Sequence, residues 1–318
     1  NCANWTSRPQ LEGFYSSQIA DFAANFPSLE APVSNRTHCI AWSDWATQPK
    51  VELANGIRFD TNYYYWPPGW VQDRPGMFTG SGMPQRFADL DGSMIDVYQA
   101  ATQMTDESNQ SYPLHADVLL DNAIGPKGYY GVFTTNMHTD SSSHAGANAI
   151  IASALARSVP VVSARQMLEW LDGRNGSSFE GVEWNGNSLE FDIAPFAGSN
   201  GLRAMVPTSS AVGQLTGVTR NGSPVTTTKR TIKGIEYAFI DAAAGSYVAT
   251  YDVDGTPPAI SNVAHSAAGD GTATITWDTD EPSNSRVDYG TSPGALNQSA
   301  SSPGLTTSHS VQLSGLAP

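Results

Sequence analysis

The sequence predicts an α/β fold in three parts: a partial, distorted (β/α) barrel, a small antiparallel β domain and an incomplete β sandwich. Helical and strand-like segments alternate in the first part, which indicates parallel βα units. Short strands separated by turn signals indicate the second part, and alternating apolar residues around Trp277 indicate the third. We expect the boundaries of the three domains at 1–176, 177–253 and 254–318.

The composition fits packed, turn-rich domains and argues against several classes of partner. Of the 318 residues, 40% are apolar and 14% are charged, with 29 glycines and 20 prolines. The net charge of −14 comes without a basic cluster, so we expect no nucleic-acid partner. No apolar run reaches the length of about 18 residues that would predict a membrane span.

The two cysteines, Cys2 and Cys39, exclude a zinc finger or another Cys-based metal site. In an oxidising compartment they could form a disulfide, and two unrelated buried thiols are an equal alternative. Only four residues are lysines, which favours a secreted protein. Because the chain begins at Asn1 without Met and ends within the third domain, we expect a piece of a longer protein.

The first elements follow from apolar spacing and from Pro and Gly punctuation. Apolar residues at helical spacing predict a helix over 16–26, a short strand follows near 38–42, and a helix over 48–55 ends before Gly56. A strand over 57–65 should turn Ile57 and Phe59 towards a covering helix. Its other face, with Arg58, Asp60 and Asn62, should point into a polar barrel interior that suits a site.

The rest of the barrel is predicted to contain a hairpin and then alternating strands and helices. The hairpin joins 86–90 to 93–98 at Asp91-Gly92, after a Pro- and aromatic-rich loop over 66–82. Ser163 and Gln166 form a capping box that opens the last helix, which Gly173 should end. The remaining predictions are helices over 113–124 and 148–157 and strands over 130–137 and 159–162.

The second and third parts are predicted from strand patterns. Short strands over 189–193, 217–219, 235–239 and 246–251 form the small β domain, and 254–258 is a linker. Ala273, Ile275 and Trp277 alternate on one strand, and Val287 and Tyr289 alternate on the next. This pattern resembles a fibronectin type III module with Trp277 in its core and its closing strands missing.

Histidine is a scarce candidate for chemistry, with six in the chain. His138 lies at the C-terminal end of a predicted parallel strand, where α/β barrels carry catalytic groups. Five residues separate His138 from His144, and this spacing puts the two side chains on no common helical face. The pattern is therefore only weak support for a two-His metal site. We expect His115, His265 and His309 to be surface residues.

The segment around His138 resembles the polysaccharide deacetylase family, carbohydrate esterase family 4. The run Gly131-Val-Phe-Thr-Thr-Asn-Met-His138-Thr-Asp140, with the helix, strand and helix after it, resembles the family's closing segment. Arg36-Thr-His38 resembles its third motif, and Asp60 with Trp66 resembles its later Asp near a Trp. The resemblance covers roughly residues 10–173.

The resemblance implies a metal-dependent hydrolase that removes acetyl groups from a glycan. In the family, a divalent metal, often zinc, is held by an Asp and two His and activates a water. His138 would act as the acid, Arg36 would orient the catalytic aspartate, and Asp60 would tune His138. The paired-Asp and His-x-x-x-His motifs are absent, so we expect the metal ligands upstream of Asn1 and no activity from this piece alone.

Aromatic residues favour a glycan partner. Trp66 and Trp70 lie in the loop beside Pro67-Pro68, Tyr64 lies near the end of the strand before it, and aromatic faces stack on sugar rings. We expect these three to bind a polysaccharide or cell-wall glycan outside the cell, at a bacterial cell surface. The alternative is a non-catalytic extracellular glycan-binding or adhesion protein on the same scaffold.

Overall fold

The structure is a computed structural model, and it describes residues 5–37, 42, 44–62, 68–71, 74–76, 82–107, 109–129, 131–138, 143–252 and 255–316. The chain divides into two compact units. The first unit comprises Asn1–Ser210 with Leu215–Tyr251, and the second comprises Ala211–Gln214 with Asp252–Pro318. Within the described ranges, no helix combines the length and apolar character needed to cross a membrane.

The N-terminal part of the first unit alternates helices with short strands. Its helices are α1 Arg8–Asn25, α2 Thr47–Ala54, α3 Pro68–Val71, α4 Leu114–Ile124, α5 Ala145–Ala156 and α6 Ala164–Gly176. Its strands are β1 Ser34–Asn35, β2 Phe59–Asp60, β3 Gln85–Ala88, β4 Met94–Gln99, β5 Thr102–Thr105 and β6 Thr134–Asn136.

The strands of this part form two small sheets with parallel pairs. One sheet has the order β1-β2-β4-β3, in which β1, β2 and β4 are parallel and β3 is antiparallel to β4. The other is the parallel pair of β5 and β6. The fold is therefore mixed α/β with several small sheets, and the described strands do not close into a barrel.

The two faces of β2 divide an apolar core from a polar one. Phe59 packs with Tyr98, Leu168 and Leu171, so the predicted covering helix is α6. Asp60 and Asn62 are fully buried on the other side, as predicted. Arg58 is an exception, because its guanidinium forms ion pairs with Asp96 and Asp172 outside that interior.

Several predicted elements are confirmed, including α2, α4, the β3–β4 hairpin at Asp91-Gly92 and the capping box of α6. The predicted start of α1 is wrong. That helix begins at Arg8 because Ser7 caps it, accepting a bond from the Gln10 N–H, and a proline stands in its first turn. The predicted strand over 159–162 is also wrong, since Pro160 lacks an N–H donor and the segment is exposed coil.

Helix α6 continues through Gly173 to Gly176, although we expected Gly173 to end it. The glycine serves a close contact instead. A Cβ at Gly173 would lie 2.3 Å from the backbone N of Ser199 and 2.6 Å from the carbonyl C of Gly198. Only a glycine lets the loop 196–200 approach the helix this closely.

The rest of the first unit is antiparallel, as predicted, with longer strands than we expected. The strands are β7 Ser178–Asn185, β8 Ser188–Ala194, β9 Arg203–Pro207, β10 Ser209–Ser210, β11 Gly213–Arg220, β12 Ser223–Pro224, β13 Thr228–Ile232, β14 Ile235–Asp241 and β15 Gly245–Tyr251. They form one sheet of order β10-β11-β15-β8-β7, with β12 on β11, and a second of order β13-β14-β9. Phe191 stacks on Tyr247 in the core, with ring centroids 5.3 Å apart.

The second unit is an antiparallel sheet of β16 Ile260–Ala267, β17 Ala273–Tyr289 and β18 Gln298–Leu313. Trp277 is buried there against Val311 and Leu313, as predicted. The two predicted strands around Trp277 and Tyr289 are in fact one strand, β17, interrupted by register shifts.

Two histidines that we expected at the surface are buried. His309 is 3% exposed and stacks on Trp277 at 4.8 Å, with its ring nitrogens 2.8 Å from the hydroxyls of Thr279 and Ser285. His115 is fully buried in α4. Its Nδ1 accepts a bond from the Ser111 N–H at 2.9 Å, so the ring serves the helix start rather than the solvent.

Candidate functional site

The candidate site lies where β5 and β6 end. The two strands are parallel, and Thr105 at the end of β5 pairs with Asn136 at the end of β6. Asp106 follows β5 directly, and His138 follows β6 by two residues. Because the carboxyl ends of parallel strands meet at one edge of a sheet, this pairing brings the carboxylate and the imidazole together.

His138 is held by Asp106 through both its ring and its backbone. Nδ1 lies 3.0 Å from Asp106 Oδ1, and the backbone N–H donates to Asp106 Oδ2 at 3.1 Å. On the other side of the ring, Nε2 lies 3.5 Å from Glu107 Oε1. The His138 side chain is 36% exposed, so the ring is partly open to solvent.

A second histidine bonds the same carboxylate. His144 precedes α5, and its Nε2 lies 3.0 Å from Asp106 Oδ2. Its Nδ1 accepts a bond from the Ala147 N–H at 3.3 Å and so caps the helix. Asp106, His138 and His144 are named the His–Asp–His cluster below.

Asp106 is an ionised carboxylate over the whole physiological pH range. Burial pushes the pKa of Asp106 upwards, but hydrogen bonds from the ring and backbone of His138 and from the ring of His144 outweigh it. The pKa falls from 3.8 to about 2. A fixed negative charge therefore faces both imidazoles.

A second group of acidic residues, named the buried carboxyl pair, lies inside the first unit. It consists of Glu52 in α2 and Asp60 in β2, both fully buried. The Glu52 Oε1 atom accepts bonds from the Tyr15 hydroxyl and the Asn35 amide at 2.8 Å each. The Asp60 carboxylate accepts from the Asn62 N–H at 2.8 Å.

The two carboxyl groups of this pair also lie close enough to affect each other's pKa. Burial is the largest cause that raises the pKa of Glu52, and the charge of Asp60 adds to it. Burial raises the pKa of Asp60 as well, against several hydrogen bonds that lower it. Burial and the charge of Asp60 thus favour the protonated form of Glu52 to a higher pH than for an exposed glutamate.

The sequence-predicted site residues lie in three places. His138 is in the His–Asp–His cluster, and Asp60 is in the buried carboxyl pair, so the carboxylate bonded to His138 is Asp106 where we expected Asp60. Arg36 directly follows β1, and its Nη1 lies 3.5 Å from the Thr37 carbonyl O.

The predicted aromatic ligand-binding residues, by contrast, are largely outside the described part. Trp66 and Tyr64 lie outside the described residues, as do Cys2, His38 and Cys39. Trp70 belongs to the short helix α3, and its side chain lies outside the description too.

Sequence reasoning missed Asp106, Glu107 and the bond made by His144. All four residues of β5 are buried, so the strand has no alternating pattern and gives no clear signal of its own. His138 is the sequence feature that could have led to Asp106. A histidine at the end of one parallel strand is often paired with a carboxylate, and the end of the neighbouring strand is close enough to supply it.

A cavity of about 1040 Å³ lies elsewhere in the first unit. Met83, Arg86, Tyr98, Trp170 and Asn175 are among the residues that line it, and no member of the His–Asp–His cluster does. Its wall also includes Gly131 and Val132, which precede β6, so it lies towards the opposite end of that strand from His138.

Within the described ranges, no group of three or more His, Cys, Asp or Glu side chains is arranged to hold a metal ion. The chain matches no model of a known protein family, no curated protein and no solved structure.

Proposed function

We propose that this protein is a hydrolase that removes acetyl groups from a glycan, with His138 as its acid–base residue. The observation that carries the proposal is the Asp106–His138 pair at the carboxyl edge of β5 and β6. We also propose that the parallel strands belong to a partial, distorted barrel and that the second unit is a fibronectin type III-like module. The proposed setting is extracellular, at a bacterial cell wall.

The role of each residue follows from which atoms are engaged. Asp106 accepts the hydrogen of His138 Nδ1, which leaves Nε2 as the nitrogen that can exchange a proton. When Nε2 takes a proton from the water that attacks the acetyl carbon, the ionised carboxylate stabilises the imidazolium that forms. Nε2 can then donate that proton to the nitrogen or oxygen that leaves the acetyl carbon.

The resemblance also implies a divalent metal, often zinc, which would polarise the acetyl carbonyl and supply the attacking water. No three ligands among the described residues are arranged to hold a metal ion, so these residues do not fit such a site. No step above is assigned to a metal, and the proton transfers are assigned to His138 and Asp106. Glycan binding through Tyr64, Trp66 and Trp70 is part of the proposal, since aromatic faces stack on sugar rings.

The test is acetate release from partially N-acetylated chitosan, measured with and without added Zn²⁺. We expect turnover by the full-length protein and a loss of about 10²- to 10⁴-fold in its H138A and D106N variants. His265 is an exposed histidine in the second unit, and H265A is the matched control that should keep full activity. Full turnover by H138A would remove His138 from the mechanism.

A second candidate is a non-catalytic glycan-binding protein. One observation favours it: Nε2 of His138 lies 3.5 Å from Glu107, so both ring nitrogens have carboxylate neighbours and the ring could be a purely structural link. This candidate predicts that the protein binds chitosan in isothermal titration calorimetry and releases no acetate. The two measurements together separate the candidates.

A further inference from the structure

The tautomer of His144 is set by helix α5. Its Nδ1 accepts the Ala147 N–H, and a nitrogen that accepts a hydrogen bond carries no hydrogen of its own. In a neutral imidazole the hydrogen is then on Nε2. Nε2 lies 3.0 Å from Asp106 Oδ2, so His144 donates to the carboxylate while it caps the helix.

The two histidines of the cluster consequently differ in the contacts that their ring nitrogens make. Both nitrogens of His144 are engaged, one by the helix and one by Asp106. His138 bonds Asp106 through Nδ1, its Nε2 lies 3.5 Å from Glu107 Oε1, and its side chain is 36% exposed. We assign the substrate-facing role to His138 Nε2, and His144 acts through Asp106.

We propose that His144 is a positioning residue that fixes the Asp106 carboxylate for His138. The proposal rests on the proposed function, because it assigns His144 a part in the same reaction. The His144 ring holds Oδ2, which keeps Oδ1 directed at His138 Nδ1. The backbone N–H of His138 also bonds Oδ2, so the loss of His144 should loosen the carboxylate rather than release it.

Two substitutions separate the two bonds of His144. In H144N the amide is short and replaces Nδ1, so it keeps the helix cap, for which Asn is well suited, and loses Asp106. In H144Q the longer amide reaches the position of Nε2 and can still donate to Asp106, while the cap is weakened. H265N, in the second unit, is the control for the removal of an imidazole.

We expect H144N to lower kcat about 10-fold and to leave Tm unchanged, and H144Q to keep kcat near that of the natural protein with a lower Tm. The second readout is the titration of the Asp106 carboxyl carbon by ¹³C NMR, assigned with D106N. In H144N the pKa of Asp106 should rise from about 2 towards 3.8, and in H144Q and H265N it should not.

The outcomes distinguish this proposal from the one on which it rests. If the natural protein releases no acetate, the proposed function fails, and the NMR titration still decides whether His144 holds Asp106. An unchanged Asp106 titration in H144N overturns the proposal. Equal loss of kcat in H144N and H144Q also overturns it, because the effect would then come from the helix and not from the carboxylate.

Discussion

Glu52 shows how burial can change which protonation state of a side chain is favoured in the fold. Its Oε1 atom accepts from Tyr15, Asn35 and Gln48, while Oε2 has no donor among the described residues. Burial and the charge of Asp60 both disfavour an ionised Glu52. The protonated form of Glu52 is therefore favoured to a higher pH than in an exposed glutamate.

The residue-scale prediction compares E52Q with the natural protein. The Gln amide reproduces the protonated acid, since its oxygen accepts the three donors and it carries no charge. Because burial and Asp60 raise the pKa of folded Glu52 above 4.5, its stabilising effect is full below pH 4.5 and is lost as the pH rises through the folded pKa. E52Q should thus match the natural protein at pH 4 and exceed it in free energy of unfolding at higher pH.

Urea unfolding between pH 4 and 8 measures this difference. E183Q, at an exposed position on β7, is the control and should follow the natural protein throughout. E52A should be destabilised at every pH, because each buried donor left without an acceptor costs about 1–3 kcal/mol. A pH-independent difference between E52Q and the natural protein would show that Glu52 is ionised in the fold.

Helix α6 shows how one element is specified at its two ends by different physics. Its start is local, because Ser163 and Gln166 bond each other's backbone N–H groups. Its middle is fixed by burial of Leu168 and Leu171 on β2. Its end depends on a distant loop, because Gly173 contacts the backbone at Ser199.

The element-scale prediction compares the effects of alanine substitutions at two helical glycines. Gly13 in α1 has no atom within 4 Å of an added Cβ, so G13A should stabilise the protein by about 0.5–1 kcal/mol. G173A should destabilise it by about 1–3 kcal/mol, since its Cβ would meet backbone atoms that cannot rotate away. Thermal unfolding followed by circular dichroism measures both. A gain in Tm for G173A would contradict the close contact described for α6.

Local signals account for what the sequence could predict of these elements. The capping box, the Asp91-Gly92 turn and the covered face of Phe59 lie within a few residues of the features they define, and the structure confirms them. Gly173 reads as a helix end because the loop that requires it is more than 20 residues away. The sequence likewise identifies His138 by its strand end, while Asp106 depends on which strand lies beside it.

At the scale of the whole molecule, the chain divides into two compact units, of which the second consists of Asp252–Pro318 with the short segment Ala211–Gln214. We expected a further boundary at 176/177, and the residues on both sides of it lie in the same unit. The segment that includes Gly255, Thr256 and Pro257 is exposed. Such segments between compact units are preferred sites of proteolysis.

The whole-molecule prediction is that brief subtilisin digestion cuts first between 252 and 259. Mass spectrometry should find two persistent fragments, because each unit has its own buried cluster and resists the protease. T256P extends the Pro257-Pro258 run and should slow this cut without changing the fragments. A first cut near residue 176 would contradict the single first unit.

The contact at Gly173 has a consequence for how the first unit could be divided. One side of α6 covers β2 through Leu168 and Leu171, and near its C-terminal end the helix meets the turn that follows β8, where Trp170 Nε1 donates to the Asn200 carbonyl at 3.1 Å. Helix α6 therefore contacts β2 on one side and the loop 196–200 on the other. A truncation after residue 176 would expose the side of α6 that this loop covers, so the segments before and after residue 176 have to be produced and engineered as one piece.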